Sequence, residues 1–323
     1  MITGLQPSYW QQVAAGLVVI VPTLLLGAFL LGWFARSVLE PRAAGRRWPE
    51  GARGVRPIVE LVVDTQRRPA ARDGTEQTDD RLEWLQAARF GLVVATCAVV
   101  PVSTGLVLTQ PGLGLYVLAI ALGIDALVVR AWTSHEPDAA TRLWTRVGLA
   151  GALALAAGVV HAQWGSASVA AVVVAQADAA IAGVDVWGLP TLFVQPLACA
   201  MAVAACFMTI DSMTDLPAVR AGALPRVLAL LVNQAWLIAI SAWLVAAFAG
   251  GGAVPWNIDN PGTRQVTSIV VFATKTVLVT LALAWASAAW PAVRLRSVRA
   301  LLALGAVGGV VSIGLTLLTR HLV

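Results

Sequence analysis

The chain alternates between apolar runs of about 17 to 25 residues and polar segments. Because hydrocarbon offers no hydrogen-bond partners to the backbone, runs of this length indicate membrane-spanning helices rather than strands. We count eight runs, at 13–34, 91–108, 113–129, 147–163, 192–210, 227–249, 266–290 and 300–319. The pattern therefore predicts an all-α, polytopic integral membrane protein that forms a single membrane domain over residues 1–323.

A further apolar stretch covers residues 166–181 but is short, rich in Ala and Val, and interrupted by Asp178. Asp185 follows soon after it. A stretch of this kind is more typical of a re-entrant or interfacial helix than of a full span. We therefore predict that residues 164–188 form an extracytoplasmic segment containing such a helix.

The arginines are distributed unevenly between the two sets of loops. The segments after the first, third, fifth and seventh spans hold 11, 3, 2 and 3 arginines, whereas the opposite side holds only Arg264 and Arg320. Under the positive-inside rule the arginine-rich segments are cytoplasmic and both termini are extracytoplasmic, in the inner (plasma) membrane. Topology and acidic lipid headgroups thus explain the net charge of +5 without nucleic acid as a partner.

The first cytoplasmic loop, residues 36–89, is the only large one. It contains 11 Arg and 9 Asp or Glu residues in 54 positions. Within it Ile58, Leu61 and Val62 repeat at the spacing of one helix face, which suits an amphipathic helix on the membrane surface or beneath a partner. The alternative is a solvated loop.

Short motifs in this loop and in later segments follow one another in a recognisable order. They are Arg47-Trp48-Pro49-Glu50, Arg56-Pro57-Ile58-Val59-Glu60, Ala131-Trp132-Thr133-Ser134, Gly165-Ser166-Ala167-Ser168, Ala175-Gln176, Asp215-Leu216-Pro217, Gly250-Gly251, Phe272-Ala273-Thr274-Lys275-Thr276 and Trp285 with Pro291 and Arg294. In order and spacing the chain resembles the H-type membrane subunit of NADH-quinone oxidoreductase (respiratory complex I), and its relatives in membrane-bound hydrogenases. The resemblance covers nearly the whole chain.

The resemblance implies a subunit of a multi-subunit membrane redox complex that docks a peripheral redox arm, lines part of a quinone chamber and takes part in proton translocation. Arg47, Glu60, Arg67 and Asp215 are the candidates for the quinone chamber or for arm docking. NADH, FMN and iron–sulfur clusters would belong to partner subunits, with no cofactor bound by this chain and quinone at the interface.

The chain also departs from the family pattern at acidic and basic positions. The family's A-E-T-N-R glutamate and arginine fall on Met208 and Asp211, and Ser287 replaces an arginine of the seventh span. A proton relay needs protonatable groups within hydrogen-bond or one-water reach of one another. The resemblance therefore supports docking more strongly than proton conduction.

Two ionisable residues inside spans are the candidates for a proton path. Lys275, the only lysine, lies near the middle of the seventh span, where an uncompensated charge costs about 2.5 to 3.5 kcal/mol. It could exchange protons during coupling, or be held in a structural pair or by a backbone carbonyl. Asp125 in the third span is its best candidate partner, the alternative being an interfacial contact of Asp125 with Arg130 or Arg146.

The chain lacks the motifs of a complete active site. Cys97, Cys199 and Cys206 lie in apolar spans without CxxC spacing, so no metal site is predicted. There is no phosphate-binding glycine loop, HExxH or GxSxG motif. Two alternative functions remain: a membrane anchor of a hydrogenase-like complex without quinone chemistry, and a stand-alone transporter, for which internal repeats would be expected and none is found.

Overall fold

A computed structural model describes residues 9–34, 76–101, 112–132, 139–181, 191, 195–214, 223–254, 258, 260–289, 303, 305–311 and 313–314. Across these residues the regular structure is helical, with no strand. The predicted all-α fold is confirmed.

Eight helices have defined bounds. They are α1 (Tyr9–Phe34), α2 (Glu76–Val99), α3 (Val117–Trp132), α4 (Ala139–Trp164), α5 (Val169–Ile181), α6 (Pro196–Thr214), α7 (Ala223–Phe248) and α8 (Pro261–Ala289). A 3-10 turn, Gly114–Tyr116, leads into α3. Residues 303, 305–311 and 313–314 are also helical and lie in the predicted eighth span.

Several helices have the length and apolarity of membrane spans. Within the described residues four segments could cross a bilayer, namely Gly114–Ala131, Ala139–Trp164, Leu231–Phe248 and Gly262–Ala286. Shorter apolar helices, Val18–Leu30, Trp84–Val99 and Pro196–Thr209, lie at three further predicted spans. The chain is a multi-pass membrane protein.

Helix α2 begins at Glu76, well before the predicted start of the second span at Gly91. Its polar first half continues without interruption into the apolar half, and the helix ends at Val99, two residues before Pro101. Proline disfavours the helical conformation of the residue before it, which explains this end. Arg89, counted from the sequence as a loop cation, consequently lies inside the helix.

Helix α7 forms the centre of the bundle. It packs against α1, α2, α6 and α8, and its apolar segment Leu231–Phe248 is 78% buried. Trp236 and Trp243 are fully buried, and the Trp243 indole N–H donates to the Leu115 carbonyl oxygen at 3.1 Å. By contrast, the apolar segment of α8 is only 28% buried, so α8 lies at the periphery of the described bundle.

Three turns meet at one end of the bundle. The backbone N–H of Leu115, before α3, donates to the Ala167 carbonyl, after α4, at 2.8 Å. The turn after α7 reaches the same place, since a Cβ added at Gly251 would come within 3.0 Å of the Val173 side chain of α5. We call this the glycine end. The contacts agree with the alternating direction of the predicted spans.

Helix α5 lies at the glycine end and is 13 residues long. At 1.5 Å per residue it extends about 20 Å, which is less than the roughly 30 Å of the hydrocarbon core. Val172 and Val173 are buried against the bundle. This length fits a re-entrant or interfacial helix, whose position in the membrane stays a prediction.

Glycines allow the last helical residues to approach α6 and α4 closely. A Cβ added at Gly305 would collide with Met201, and one at Gly308 would come within 2.7 Å of Leu197. Gly309 lies against Val159 and Leu155 of α4. Small residues at such contacts are the usual basis of helix packing in membranes.

Replacing Gly305 by Leu should therefore lower stability by about 1–3 kcal/mol, because the side chain would push the backbones apart. Gly314→Leu is the matched control, since a Cβ there meets nothing within 4 Å. The thermal unfolding midpoints of the two variants in detergent measure the difference. Equal midpoints would show that the close contact does not contribute.

Candidate functional site

An ion pair lies fully buried between α2 and α3. Arg89 and Asp125 expose 0% and 1% of their surfaces. Arg89 Nε donates to Asp125 Oδ1 at 2.7 Å, and Nη2 donates to Oδ2 at 3.4 Å. Two parallel bonds between a guanidinium and a carboxylate are among the strongest polar contacts in proteins.

Two amides complete the surroundings of the guanidinium. Gln86, one helical turn before Arg89, accepts from Nη1 through Oε1 at 3.0 Å. Asn233 of α7 accepts from Nη2 through Oδ1 at 3.1 Å. The Arg89 side chain therefore links α2 to both α3 and α7.

A second arginine approaches the same carboxylate. Arg146 of α4 is 7% exposed, and its Nη1 lies 3.9 Å from Asp125 Oδ2. This distance is too long for a hydrogen bond but close enough for electrostatic attraction. We refer to Gln86, Arg89, Asp125, Arg146 and Asn233 as the Arg89 network; it joins four helices.

The chemistry open to the Arg89 network is narrow. Arginine does not deprotonate in proteins, so Asp125 is the one member whose charge can change by taking up a proton. Protonation would remove the negative charge that Arg89 and Arg146 share. The geometry therefore favours a structural role for Asp125, as the counter-charge of the two arginines.

The sequence anticipated only part of this network. The contact of Asp125 with Arg146 was one of the alternatives, whereas the main partner, Arg89, was missed. The contacts of Asp125 are with Arg89 and Arg146, so it does not pair with Lys275. The overlooked signal was that Arg89 directly precedes the apolar run that starts at Phe90.

Lys275 contacts the backbone at the glycine end. Its Nζ donates to the carbonyl oxygens of Ala249 and Gly251, at 2.7 and 3.3 Å. The side chain of a helical residue points towards the start of its own helix, and α8 starts at this end. Contact with backbone carbonyls, one of the alternatives for Lys275, is thus present in the structure.

Two glycines in left-handed conformation create this carbonyl site. Gly250 and Gly251 have φ of 71° and 54°, a region that glycine enters without steric cost. The chain folds back so that the Gly251 N–H donates to the Val245 carbonyl at 2.9 Å. The C-terminus of α7, which carries the negative end of the helix dipole, thereby faces the Lys275 ammonium.

Gln176 of α5 supplies further donors to the end of α7. Its Nε2 donates to the carbonyls of Ala246 and Ala247, at 3.3 and 3.1 Å. Gln176 therefore satisfies two of the last carbonyls of α7, which the helix itself leaves without partners, and Lys275 satisfies two carbonyls of the turn that follows.

Other predicted site residues lie outside the described residues. Arg47, Glu60, Arg67 and Asp215 all fall there, as does the amphipathic stretch around Ile58. Within the described part of the chain no group of three His, Cys, Asp or Glu residues could hold a metal ion.

The Arg89 network can be tested by a double-mutant cycle. Asp125→Leu alone should cost about 3–5 kcal/mol of stability because it leaves the buried Arg89 without its counter-charge. Adding Arg89→Leu should recover a large part of that loss. Unfolding in detergent measures both, with Asp178→Asn at an exposed position of α5 as the control. Additive losses would contradict the pairing.

Comparison with known proteins gives the family. The family model described as NADH dehydrogenase matches residues 14–313. No curated protein matches the chain. The match extends from α1 to the last described helical residues and agrees with the resemblance inferred from the motifs. The chain therefore belongs to the NADH dehydrogenase family, as a membrane subunit of a complex I-like NADH dehydrogenase.

Proposed function

We propose that this chain serves as the H-type membrane subunit of a NADH-quinone oxidoreductase-like complex, where it docks the peripheral redox arm, forms part of the quinone chamber and takes part in proton translocation. The observation that carries the proposal is the family match over residues 14–313. The chain acts with other subunits and with membrane lipid, and NADH oxidation belongs to its partners.

Docking is assigned to the arginine-rich segment 36–89. This segment follows α1, and its last part, Glu76 to Arg89, is the beginning of α2. Because the Arg89 network fastens α2 to α3, α4 and α7, one end of the docking segment is fixed to the bundle. A fixed end lowers the conformational entropy that the segment would lose on binding a peripheral arm.

The quinone chamber is assigned to Arg47, Glu60, Arg67 and Asp215 on the arginine-rich side. A quinone has an apolar ring system and two carbonyl oxygens, so a chamber for it needs an apolar wall and a few hydrogen-bond donors. Arg47 and Arg67 can donate to those oxygens.

For proton movement, Lys275 is a better candidate than Asp125. The Lys275 ammonium donates to the carbonyl oxygens of Ala249 and Gly251, and a lysine held inside a membrane protein is a group that can exchange protons. Asp125, in contrast, neutralises charge on two arginines. The two residues occupy separate sites, so they are not consecutive members of one relay.

The alternative is a membrane anchor of a hydrogenase-like complex that uses no quinone. Met208 and Ser287, at positions where the family has charged residues, favour it. Assays of the purified complex distinguish the two functions. NADH-driven reduction of a quinone supports the NADH-quinone oxidoreductase-like function. Electron transfer to soluble acceptors alone supports the membrane anchor without quinone chemistry.

Charge reversal tests docking. Arg47→Glu with Arg67→Glu should release the peripheral subunits from the complex in mild detergent, because acidic side chains would repel the surface that the arginines attract. Native gel electrophoresis with mass spectrometry identifies the subunits that remain. Arg320→Glu, on the opposite side of the predicted topology, is the control. Full retention of the arm by the double variant would contradict the docking role.

Lys275→Ala tests coupling. We expect it to lower the number of protons moved per NADH oxidised while the amount of assembled complex changes little, since the carbonyls of Ala249 and Gly251 lie where small molecules such as water could replace the ammonium. Acidification of sealed membrane vesicles measures proton movement.

Asp125→Asn also bears on coupling, but it removes the negative charge that faces Arg89 and Arg146. Loss of this charge can reduce the amount of assembled complex. The rate of proton movement by the Asp125→Asn variant is therefore divided by the amount of assembled complex.

For the Lys275→Ala variant, unchanged proton pumping would exclude a role of Lys275 in proton translocation.

A further inference from the structure

The carbonyl oxygens that bind Lys275 belong to a turn rather than to a helix. Ala249 and Gly251 follow the end of α7, and Gly250 and Gly251 adopt φ of 71° and 54°. The conformational freedom that lets glycine enter this region also gives a two-glycine turn many alternative conformations. A contact that fixes the turn is therefore needed to keep both oxygens directed at the ammonium.

The way in which α7 ends changes the hydrogen bonds of its last turn. In a regular helix the Gly251 N–H would donate to the carbonyl four residues earlier, at Ala247. It donates instead to Val245, six residues earlier, at 2.9 Å, as in a Schellman ending. Gln176 donates to Ala247, and also to Ala246, through Nε2. The Gln176 amide therefore replaces the donor that the turn withdraws from Ala247.

These contacts determine the orientation of the Gln176 amide. The residue is 0% exposed, and exchanging its oxygen and nitrogen would place the oxygen against two carbonyl oxygens. In the described part of the chain its Oε1 has no hydrogen-bond partner. A buried acceptor in this state carries a free-energy cost, so the bonds of the nitrogen are the ones that hold the amide.

Helix α5 contacts the turn at a second point. A Cβ added at Gly251 would come within 3.0 Å of the Val173 side chain. Val173 lies three residues before Gln176, so the two side chains are neighbours on one face of α5. This face contacts the last turn of α7 through a polar side chain and the glycine turn through an apolar one.

We propose that Gln176 is a positioning residue for Lys275. By fixing the last turn of α7, it holds the carbonyl oxygens of Ala249 and Gly251 where the ammonium binds. The short helix α5 is thereby part of a site whose charged group lies on α8. This role deepens the proposed participation of Lys275 in proton translocation, and its effect on translocation rests on that proposal.

The reactivity of Lys275 tests the proposal directly, because Lys275 is the only lysine of the chain. The purified complex is treated with formaldehyde and a mild borane reductant, which dimethylate free amines, and mass spectrometry quantifies the peptide that contains Lys275. Gln176→Met keeps the length of the side chain and removes its donors. Dimethylation of Lys275 should become about fivefold faster, the factor that corresponds to the loss of one net hydrogen bond. Gln176→Asn, whose amide is one methylene shorter, should change the rate in the same direction.

Val172→Ala is the matched control, because it removes a fully buried apolar contact of α5 and keeps the Gln176 amide. It should leave the dimethylation rate unchanged. If Gln176→Met gives no assembled complex, Gln176→Asn decides. Gln176 variants that react as slowly as the unmodified complex, or no faster than Val172→Ala, would overturn the positioning role.

Proton movement per NADH oxidised supplies a second measurement. Gln176→Met should lower it in the otherwise unmodified chain and cause no further loss when combined with Lys275→Ala, because the residue acts through Lys275. A merely structural role of Gln176 would add its own loss to that of Lys275→Ala. Additive losses would therefore contradict the positioning role.

The two measurements also separate this role from the proposed function. If Lys275→Ala pumps normally, the role of Lys275 in translocation fails, whereas faster dimethylation in the Gln176 variants still supports positioning. Unchanged dimethylation overturns positioning even where Lys275→Ala impairs pumping, since the labelling does not depend on turnover.

Discussion

The structure depends on keeping the charge of Arg89 satisfied inside a bundle that is otherwise apolar. A buried guanidinium is tolerated only when its donors and its charge all find partners, because desolvation otherwise exceeds the attraction of the pair. Those partners come from three helices: the carboxylate from α3 and amides from α2 and α7. The same carboxylate attracts Arg146 of α4. Arg89 and Asp125 together thus link four helices through polar contacts.

A comparable requirement operates at the other end of α7. There the unsatisfied groups belong to the backbone, and Gln176 and Lys275 bring the donors. Helix α7 is consequently held by polar contacts at Asn233 and at its C-terminus, with the buried tryptophans between them. The apolar segment of α7 contains no charged residue, and in lipid the hydrophobic effect does not drive helices together. The polar contacts at Asn233 and at the C-terminus explain how α7 is nevertheless positioned.

The all-α, multi-pass character of the fold could be predicted from the sequence because a bilayer imposes a length on every apolar run. The family could be recognised from motifs that are individually short but collinear.

The position of Arg89 could not be predicted in the same way. The positive-inside rule assigns every arginine to a loop, so it misplaces an arginine whose charge is neutralised within a helix. From the sequence, binding of Lys275 to backbone carbonyls was one of several alternatives. Backbone carbonyls leave no sequence signal apart from the Gly250-Gly251 pair that exposes them.

The pairing of Arg89 with Asp125 also has a consequence for biosynthesis. Helix α2 emerges from the ribosome before α3, so its arginine would meet the edge of the bilayer without a counter-charge, which carries a free-energy cost. Insertion of α2 together with α3, as a hairpin, avoids that cost because the carboxylate arrives with the guanidinium. The order of synthesis therefore favours a two-helix unit as the first stable intermediate of this region, onto which α4 and later α7 assemble.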